Sequence, residues 1–243
     1  VMNSKRILLS PPHMGGTEST YLAQAFQDNW IAPAGPHIDL FENRLVDFLD
    51  KNCQVVALNS GTAAIHLGLQ LLGVQSGDEV LCQSLTFIAS VNPILYLGAK
   101  PVFVGSEKDT WNICPLALEK AILNRLEKGV QPKAIIVVHL YGMPAKMNEI
   151  ITISKKYNIP ILEDAAEAFG SSYDGKPCGT FGDFGVLSFN GNKIITTSGG
   201  GALICHSDSN KKKAVFLATQ AKEDAVHYEH TQVGYNYRMS NIS

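Results

Sequence analysis

The sequence has little of what marks a secreted, membrane-spanning or nucleic-acid-binding chain. Its five cysteines, Cys53, Cys82, Cys114, Cys178 and Cys205, are odd in number and widely spaced, with no CxxC pair. That excludes a disulfide framework and the usual zinc spacing, and predicts reduced, mostly buried thiols. Neither sign of charge is in excess: 20 Lys and Arg stand against 22 Asp and Glu, a net charge of -2. No nucleic-acid partner is expected, and an anionic ligand must be caught by local geometry. Long hydrophobic runs are missing as well. Lys5 and Arg6 precede only Ile7-Leu8-Leu9 before Ser10-Pro11-Pro12 ends the run, far short of a signal-peptide core. No stretch is long enough for a bilayer, so no membrane partner and a cytoplasmic location are expected. A Walker motif is absent, because Lys193 has no glycine at the required distance and is followed by Ile194. The run Gly179-Thr180-Phe181-Gly182-Asp183-Phe184-Gly185 has glycines every third residue and does not match GxGxxG. His227, Glu229 and His230 stand without an HExxH or a neighbouring cysteine, so they read as a polar face and no metal is expected.

What is present is a globular α/β pattern. Hydrophobic residues make up 45% of 243, enough for a substantial core. Strand-like runs recur at Val55-Val56-Ala57-Leu58, Glu79-Val80-Leu81-Cys82, Pro101-Val102-Phe103-Val104, Ala134-Ile135-Ile136-Val137-Val138, Ile159-Pro160-Ile161-Leu162, Phe184-Gly185-Val186-Leu187-Ser188 and Ala202-Leu203-Ile204-Cys205. Segments able to hold helices, 63–72, 87–97, 116–128 and 146–157, separate the first five. The alternation predicts a mainly parallel seven-stranded sheet with helices on both faces. A Gly-rich link from Asn190 to Gly201 is too irregular for a crossover helix, so the last strand is expected to be antiparallel or otherwise unusual. No repeat, low-complexity tract or interdomain linker is visible. At Arg238-Met239-Ser240-Asn241-Ile242-Ser243, Ser240 reads as an N-cap whose helix is cut away, which predicts that the chain is the front part of a longer enzyme.

Ligands of open α/β sheets bind beyond the carboxyl ends of the strands. After the first run, Asn59-Ser60-Gly61-Thr62-Ala63-Ala64 is a strand-to-helix turn that aims backbone N–H groups and hydroxyls at one spot, as a phosphate requires. Taken alone it reads better as a plain serine cap. After the fifth, Asp164 in Glu163-Asp164-Ala165-Ala166-Glu167-Ala168 ends a buried run and is followed by small residues. A carboxylate so placed can be a solvated loop group, or can keep a pyridine nitrogen protonated. After the sixth come Ser188 and then Asn190-Gly191-Asn192-Lys193. Lys193, flanked by Ile194 and Ile195, is a poor surface residue, and a Schiff-base lysine needs partial desolvation. A snorkelling lysine is the commoner case. The combination decides: phosphate turn, ring acid and lysine fall at strand ends in the order a coenzyme domain needs. Phe87, after Thr86, is either a core ring or a face for a flat heteroaromatic ligand.

These residues resemble the DegT/DnrJ/StrS-type nucleotide-sugar aminotransferases, fold type I enzymes that use pyridoxal 5'-phosphate (PLP). The likeness runs through Ile31-Ala32-Pro33, Gly35, Phe41-Glu42, Ser60-Gly61-Thr62-Ala63-Ala64, Thr86-Phe87, His139-Leu140-Tyr141-Gly142, Asp164-Ala165-Ala166-Glu167-Ala168, Ser188-Phe189, Lys193 and Gly234-Tyr235-Asn236-Tyr237-Arg238. The resemblance implies that Gly61, Thr62 and Ser188 hold the PLP phosphate and that Phe87 covers the ring. It implies that Asp164 meets the ring nitrogen, Glu167 lies near the ring hydroxyl, and Lys193 carries the Schiff base and moves the proton. Asn236 would reach the phosphate of a neighbouring subunit, making a homodimer with shared sites. Residues 1–243 would be the large domain, with an N-terminal arm over about 1–30 and a C-terminal small domain outside this chain. Within the family, Leu9-Ser10-Pro11-Pro12-His13-Met14-Gly15-Gly16, Asn29-Trp30-Ile31-Ala32-Pro33, Asn190-Gly191-Asn192-Lys193-Ile194-Ile195-Thr196-Thr197-Ser198-Gly199-Gly200-Gly201 and Ala225-Val226-His227-Tyr228-Glu229-His230 are similar to bacillosamine-pathway transaminases. That implies transfer of an amino group from L-glutamate to C4 of a UDP-linked 4-keto-6-deoxy-N-acetylhexosamine. Glu167 departs from the commoner His or Gln, and Ser198 from the commoner Gly followed by Glu. Rivals are the same chemistry at C3 or on another nucleotide sugar, and a coenzyme-binding but inactive fragment or scaffold. A sugar dehydratase of the related branch would lack Lys193, and a plain Rossmann-type binder would leave Lys193 and Asp164 unexplained.

Overall fold

The computed structural model describes residues 7–243; the start of the expected arm, with Lys5 and Arg6, lies outside the described residues. Two helices come first, α1 (Glu18–Gln27) and α2 (Pro36–Leu49), neither expected from the sequence. The sheet and its helices then follow as β1 (Gln54–Leu58), α3 (Gly61–Leu71), β2 (Glu79–Gln83), α4 (Asn92–Tyr96), β3 (Lys100–Val104), α5 (Pro115–Glu127), β4 (Ala134–Val138), α6 (Met147–Tyr157) and β5 (Ile161–Asp164). A small hairpin, β6 (Ser172–Tyr173) and β7 (Lys176–Pro177), precedes β8 (Phe184–Ser188), β9 (Gly201–Cys205) and α7 (Asp208–Ala218).

The main sheet has seven strands in the order β1-β9-β8-β5-β4-β2-β3. Strands β3, β2, β4, β5 and β8 pair in parallel, whereas β9 lies antiparallel between β8 and β1. The reason is the irregular link: a parallel neighbour needs a crossover over a sheet face, and the segment after Ser188 turns back at the same edge. Alternate strand residues face opposite layers. Val56, Leu58, Cys82, Ile136, Leu162 and Leu203 pack with α3, α4 and α7. Val55, Ala57 and Ile204 pack under α2, and Leu81, Ile135 and Ile161 under α5 and α6. The near-continuous hydrophobicity of the strands follows from burial on both sides.

One expected helix is corrected. Residues 87–97 form a 3-10 turn, Ile88–Ser90, followed by the short α4. Pro93 has no N–H and so belongs in a helix's first turn, which restarts the helix there. β5 also begins later than its apolar run and reaches Asp164, so that acid ends the strand itself.

The last residues return to the start of the fold. Tyr237 bonds Asn59 and Ala218 through the backbone, and Arg238 donates to Glu42 at 2.6 Å and to the Ala57 carbonyl at 3.1 Å. Asn241 accepts the amides of His37 at 3.0 Å and Ile38 at 3.3 Å, capping α2, whose own N-cap position is Gly35.

Candidate active site

The carboxyl edge of the parallel strands brings most of the anticipated residues together. Ser60 caps α3: its Oγ accepts from the Ala63 amide at 3.1 Å and its carbonyl from Ala64 at 3.2 Å. The amides of Gly61 and Thr62 precede the helix's own ladder, at the positive end of its dipole. Gly61 lies against Ser188, the buried last residue of β8. A Cβ at Gly61 would come within 3.0 Å of Ser188 Cβ and 3.3 Å of its Oγ. A side chain there would crowd the serine and the helix turn.

Asp164 is buried at the end of β5. Its Oδ2 accepts from Ser90 Oγ at 2.7 Å and its Oδ1 from the Ala166 amide at 3.1 Å. Burial pushes its pKa above the ordinary value, and the bonds from Ser90 and Ala166 and the nearby Lys193 charge oppose that shift. Lys193 lies in the irregular link with its side chain only 13% exposed, and its Nζ is 3.3 Å from Glu167 Oε1. Glu167 Oε2 in turn accepts the Tyr141 amide at 3.1 Å. The flanking residues differ from expectation: Ile194 and Ile195 are exposed.

Phe87 is 73% exposed on the 3-10 turn that also carries Ser90, so it is not a core ring. Asn236 stands apart. Its carbonyl accepts from Asn59 Nδ2 at 3.1 Å, and Tyr235 and Tyr237 stack at 4.8 Å on either side of it in sequence. Both tyrosines contact the buried His66, whose Nδ1 is 3.1 Å from the Tyr237 hydroxyl; burial lowers the His66 pKa, so the ring is neutral near pH 7. With both rings turned inward, Asn236 is exposed, and its side chain makes no hydrogen bond among the described residues. His227 and Glu229 form only a loose exposed pair at 3.9 Å.

Sequence reasoning missed three contributors. Ser90 had one local signal, a position four residues after Thr86, whose Oγ1 lies 2.8 Å from Ser90 Oγ. The Tyr141 amide is aimed at Glu167 by a left-handed backbone, φ 52°, which no residue pattern announces. Glu163, beside Asp164, points to the opposite sheet face, where it meets His139.

Comparison with known proteins places the chain in a family. The model of the DegT/DnrJ/EryC1/StrS aminotransferase family matches residues 12–243. EpsN of Bacillus subtilis (strain 168), which carries pyridoxal phosphate dependence and aminotransferase in its name, is 55% identical over 238 residues, covering 98% of this chain and 61% of EpsN. GDP-perosamine synthase of Escherichia coli O157:H7 is 41% identical over 240 residues, covering 98% of this chain and 64% of that protein. The PMP-form of Spr1654 from Streptococcus pneumoniae superposes with a TM-score of 0.88 at 30% identity, covering 98% of this chain and 63% of that one. The chain thus spans less than two thirds of the length of these relatives. With its fold type I sheet, its strand-end residues and this likeness over almost its whole length, the chain belongs to the DegT/DnrJ/EryC1/StrS aminotransferase family.

Proposed function

We propose that the chain is the PLP-binding large domain of a nucleotide-sugar aminotransferase that takes its amino group from L-glutamate. The observation that carries the reading is the half-buried Lys193 amine beside Glu167, on the same strand edge as the buried Asp164 and the close Gly61–Ser188 contact. The residues fit the coenzyme: a turn that a single Cβ would crowd, a cap with forward-facing amides, a buried acid and an amine. Gly61, Thr62 and Ser188 would hold the phosphate, Asp164 the ring nitrogen, Glu167 the region of the ring hydroxyl, and Phe87 one ring face.

When bound, PLP supplies an aldehyde carbon that takes up amines and a ring that draws electrons from the carbon losing its proton. Lys193 Nζ would hold the coenzyme, and its amine, once freed by the donor amine, would be the base and acid that moves the proton at the glutamate α-carbon and, in the opposite sense, at the keto-sugar carbon. Asp164 would keep a proton on the ring nitrogen, and Ser90 and Ala166 hold its carboxyl group in place for that task. Lys193→Ala is expected to abolish turnover with glutamate and a keto sugar, read by mass spectrometry of the amino product. An active Lys193→Ala enzyme would sink the mechanism.

For the acceptor we infer C4 of a UDP-linked 4-keto-6-deoxy-N-acetylhexosamine, supported by the bacillosamine-like segments around Lys193 and His227. A GDP-linked sugar is the second reading, favoured by the 41% identity to GDP-perosamine synthase. A panel of UDP- and GDP-linked sugars with ketones at C3 or C4 separates them. A homodimer with shared sites belongs to the same proposal, supported by the outward-facing Asn236. So do a small domain beyond this chain and a cytoplasmic location, the latter supported by five free thiols. No helix among the described residues is long and apolar enough to cross a membrane.

A further inference from the structure

The glycine run 179–185 matches no nucleotide fingerprint, yet packing requires its glycines. Gly179 is left-handed at φ 91°, a Cβ at Gly182 would come within 2.8 Å of the Ile161 carbonyl, and one at Gly185 would overlap the Gly179 carbonyl. The resulting turn aims three amides at one carboxylate. Glu163 Oε1 accepts from the Gly179 amide, and Oε2 accepts from Phe181 at 2.8 Å and Gly182 at 3.1 Å. His139 Nε2 lies 2.7 Å from Glu163 Oε1, and its Nδ1 accepts the Ala145 amide at 3.0 Å. Both side chains are fully buried.

Burial works against a charged His139, whereas Cys178 and Glu163 work for it. The Ala145 amide donates to Nδ1, which needs a lone pair there, so the ring is the neutral tautomer that donates from Nε2 to Glu163. Burial likewise opposes a charged Glu163, but His139 and the turn amides outweigh it and hold its pKa below the ordinary carboxylate value. His139, Glu163 and Cys178 offer three metal-ligand atoms within 4.8 Å of one another. The donors already on Glu163 and on His139 Nδ1 leave a cation only the Cys178 sulfur, too few ligands for a metal site, so the cluster is a hydrogen-bonded joint.

What the joint holds is the coenzyme edge. It ties the ends of β4 and β5 to the turn that leads into β8, and the His139 amide donates to the Asp164 carbonyl at 3.1 Å. Between its two anchors, His139 and Ala145, runs the loop with left-handed Tyr141, whose amide holds Glu167 against Lys193. Ser171 Oγ pins the same loop by donating to the Gly142 carbonyl at 2.7 Å. We propose that His139 and Glu163, seated on the glycine turn, are positioning residues that set the Tyr141 amide, and through it Glu167 and Lys193, relative to Asp164. The inference rests on the coenzyme reading above.

The test uses His139→Phe, which keeps a ring and removes both hydrogen bonds, and His139→Gln, which restores a donor and an acceptor. Hydrogen exchange of the 139–145 segment is followed without coenzyme, and the pH midpoint of the visible coenzyme band with it. In His139→Phe the Tyr141 and Gly142 amides are expected to exchange about tenfold faster, as loss of a buried hydrogen bond implies. The band midpoint is expected to move by about half a pH unit or more, because the carboxylates around the ring have shifted. kcat should fall by about tenfold with KM little changed, as misplacement of the proton-moving groups implies, and His139→Gln should lie between. If His139→Phe does not fold, His139→Gln must itself show faster exchange and a shifted midpoint. Wild-type exchange and midpoint in a folded His139 variant would overturn the inference. Failure of the wild-type protein to bind PLP would instead overturn the coenzyme reading, and exchange alone would then judge the joint.

Discussion

Replacing Glu42 with Gln removes the charge on which the two ends of the fold meet. Glu42 is buried on α2; its Oε1 takes Arg238 at 2.6 Å and the Ala57 amide at 2.9 Å, and its Oε2 takes Lys211 of α7 at 3.0 Å. The side chains of Arg238 and Lys211 are 11% and 28% exposed, so water replaces the lost partner poorly for the first and better for the second. Breaking a buried pair from one side costs about 3–5 kcal/mol, and the partial exposure of Lys211 argues for the lower end, about 3 kcal/mol. At roughly 2–4 °C per kcal/mol for a chain of this size, Tm should fall by about 6–12 °C. Urea unfolding followed by circular dichroism reads the loss directly. The double variant Glu42→Gln with Arg238→Met should lose less than the two single variants together, because neither charge is then left buried alone. A Glu42→Gln loss below about 1 kcal/mol, the worth of a surface pair, would refute the reasoning.

Other outcomes follow from the same structure. Gly61→Ala should weaken PLP binding by about tenfold or more, read by fluorescence titration, and its tight Cβ contact with Ser188 should also lower stability in urea by about 1–3 kcal/mol. Ser90→Ala removes a bond that favours the charged form of Asp164, so the Asp164 pKa should rise further and the pH midpoint of the coenzyme band should move up. Burial pushes the thiols of Cys82 and Cys205 up to about 12 from an ordinary 9.0. Their folded pKa is raised, so this stabilisation is complete below about pH 9 and is lost as pH climbs toward 12, by about 1.4 kcal/mol per unit per thiol. The urea midpoint should therefore fall as pH rises above about 9, and Cys82→Ala should flatten that slope.

The parallel core was readable because its strands are hydrophobic on both faces and end in polar residues. Their order and the reversal at β9 were partly readable through the irregular link after Ser188. The helices α1, α2 and α7 were not. In α1 Ala25 is the one buried residue, so no apolar stripe appears, and α7 carries Lys211, Lys212 and Lys213 in succession. Asp164, Lys193, Gly61 and Ser188 stood out because strand ends are where open sheets bind ligands. Glu163 was overshadowed by its neighbour, since only strand alternation shows that the two acids face opposite layers. Glu42 and Arg238 were noticed as motif residues, but their pairing across 196 positions depends on tertiary contacts that no local period encodes.

The central claim is that Lys193 carries the coenzyme. Loading the protein with PLP, reducing it with borohydride and mapping the peptides by mass spectrometry tests this directly. The account predicts one reduced adduct, on the peptide containing Lys193, and none on that peptide in Lys193→Ala. An adduct on a different lysine, or no adduct at all, would contradict it.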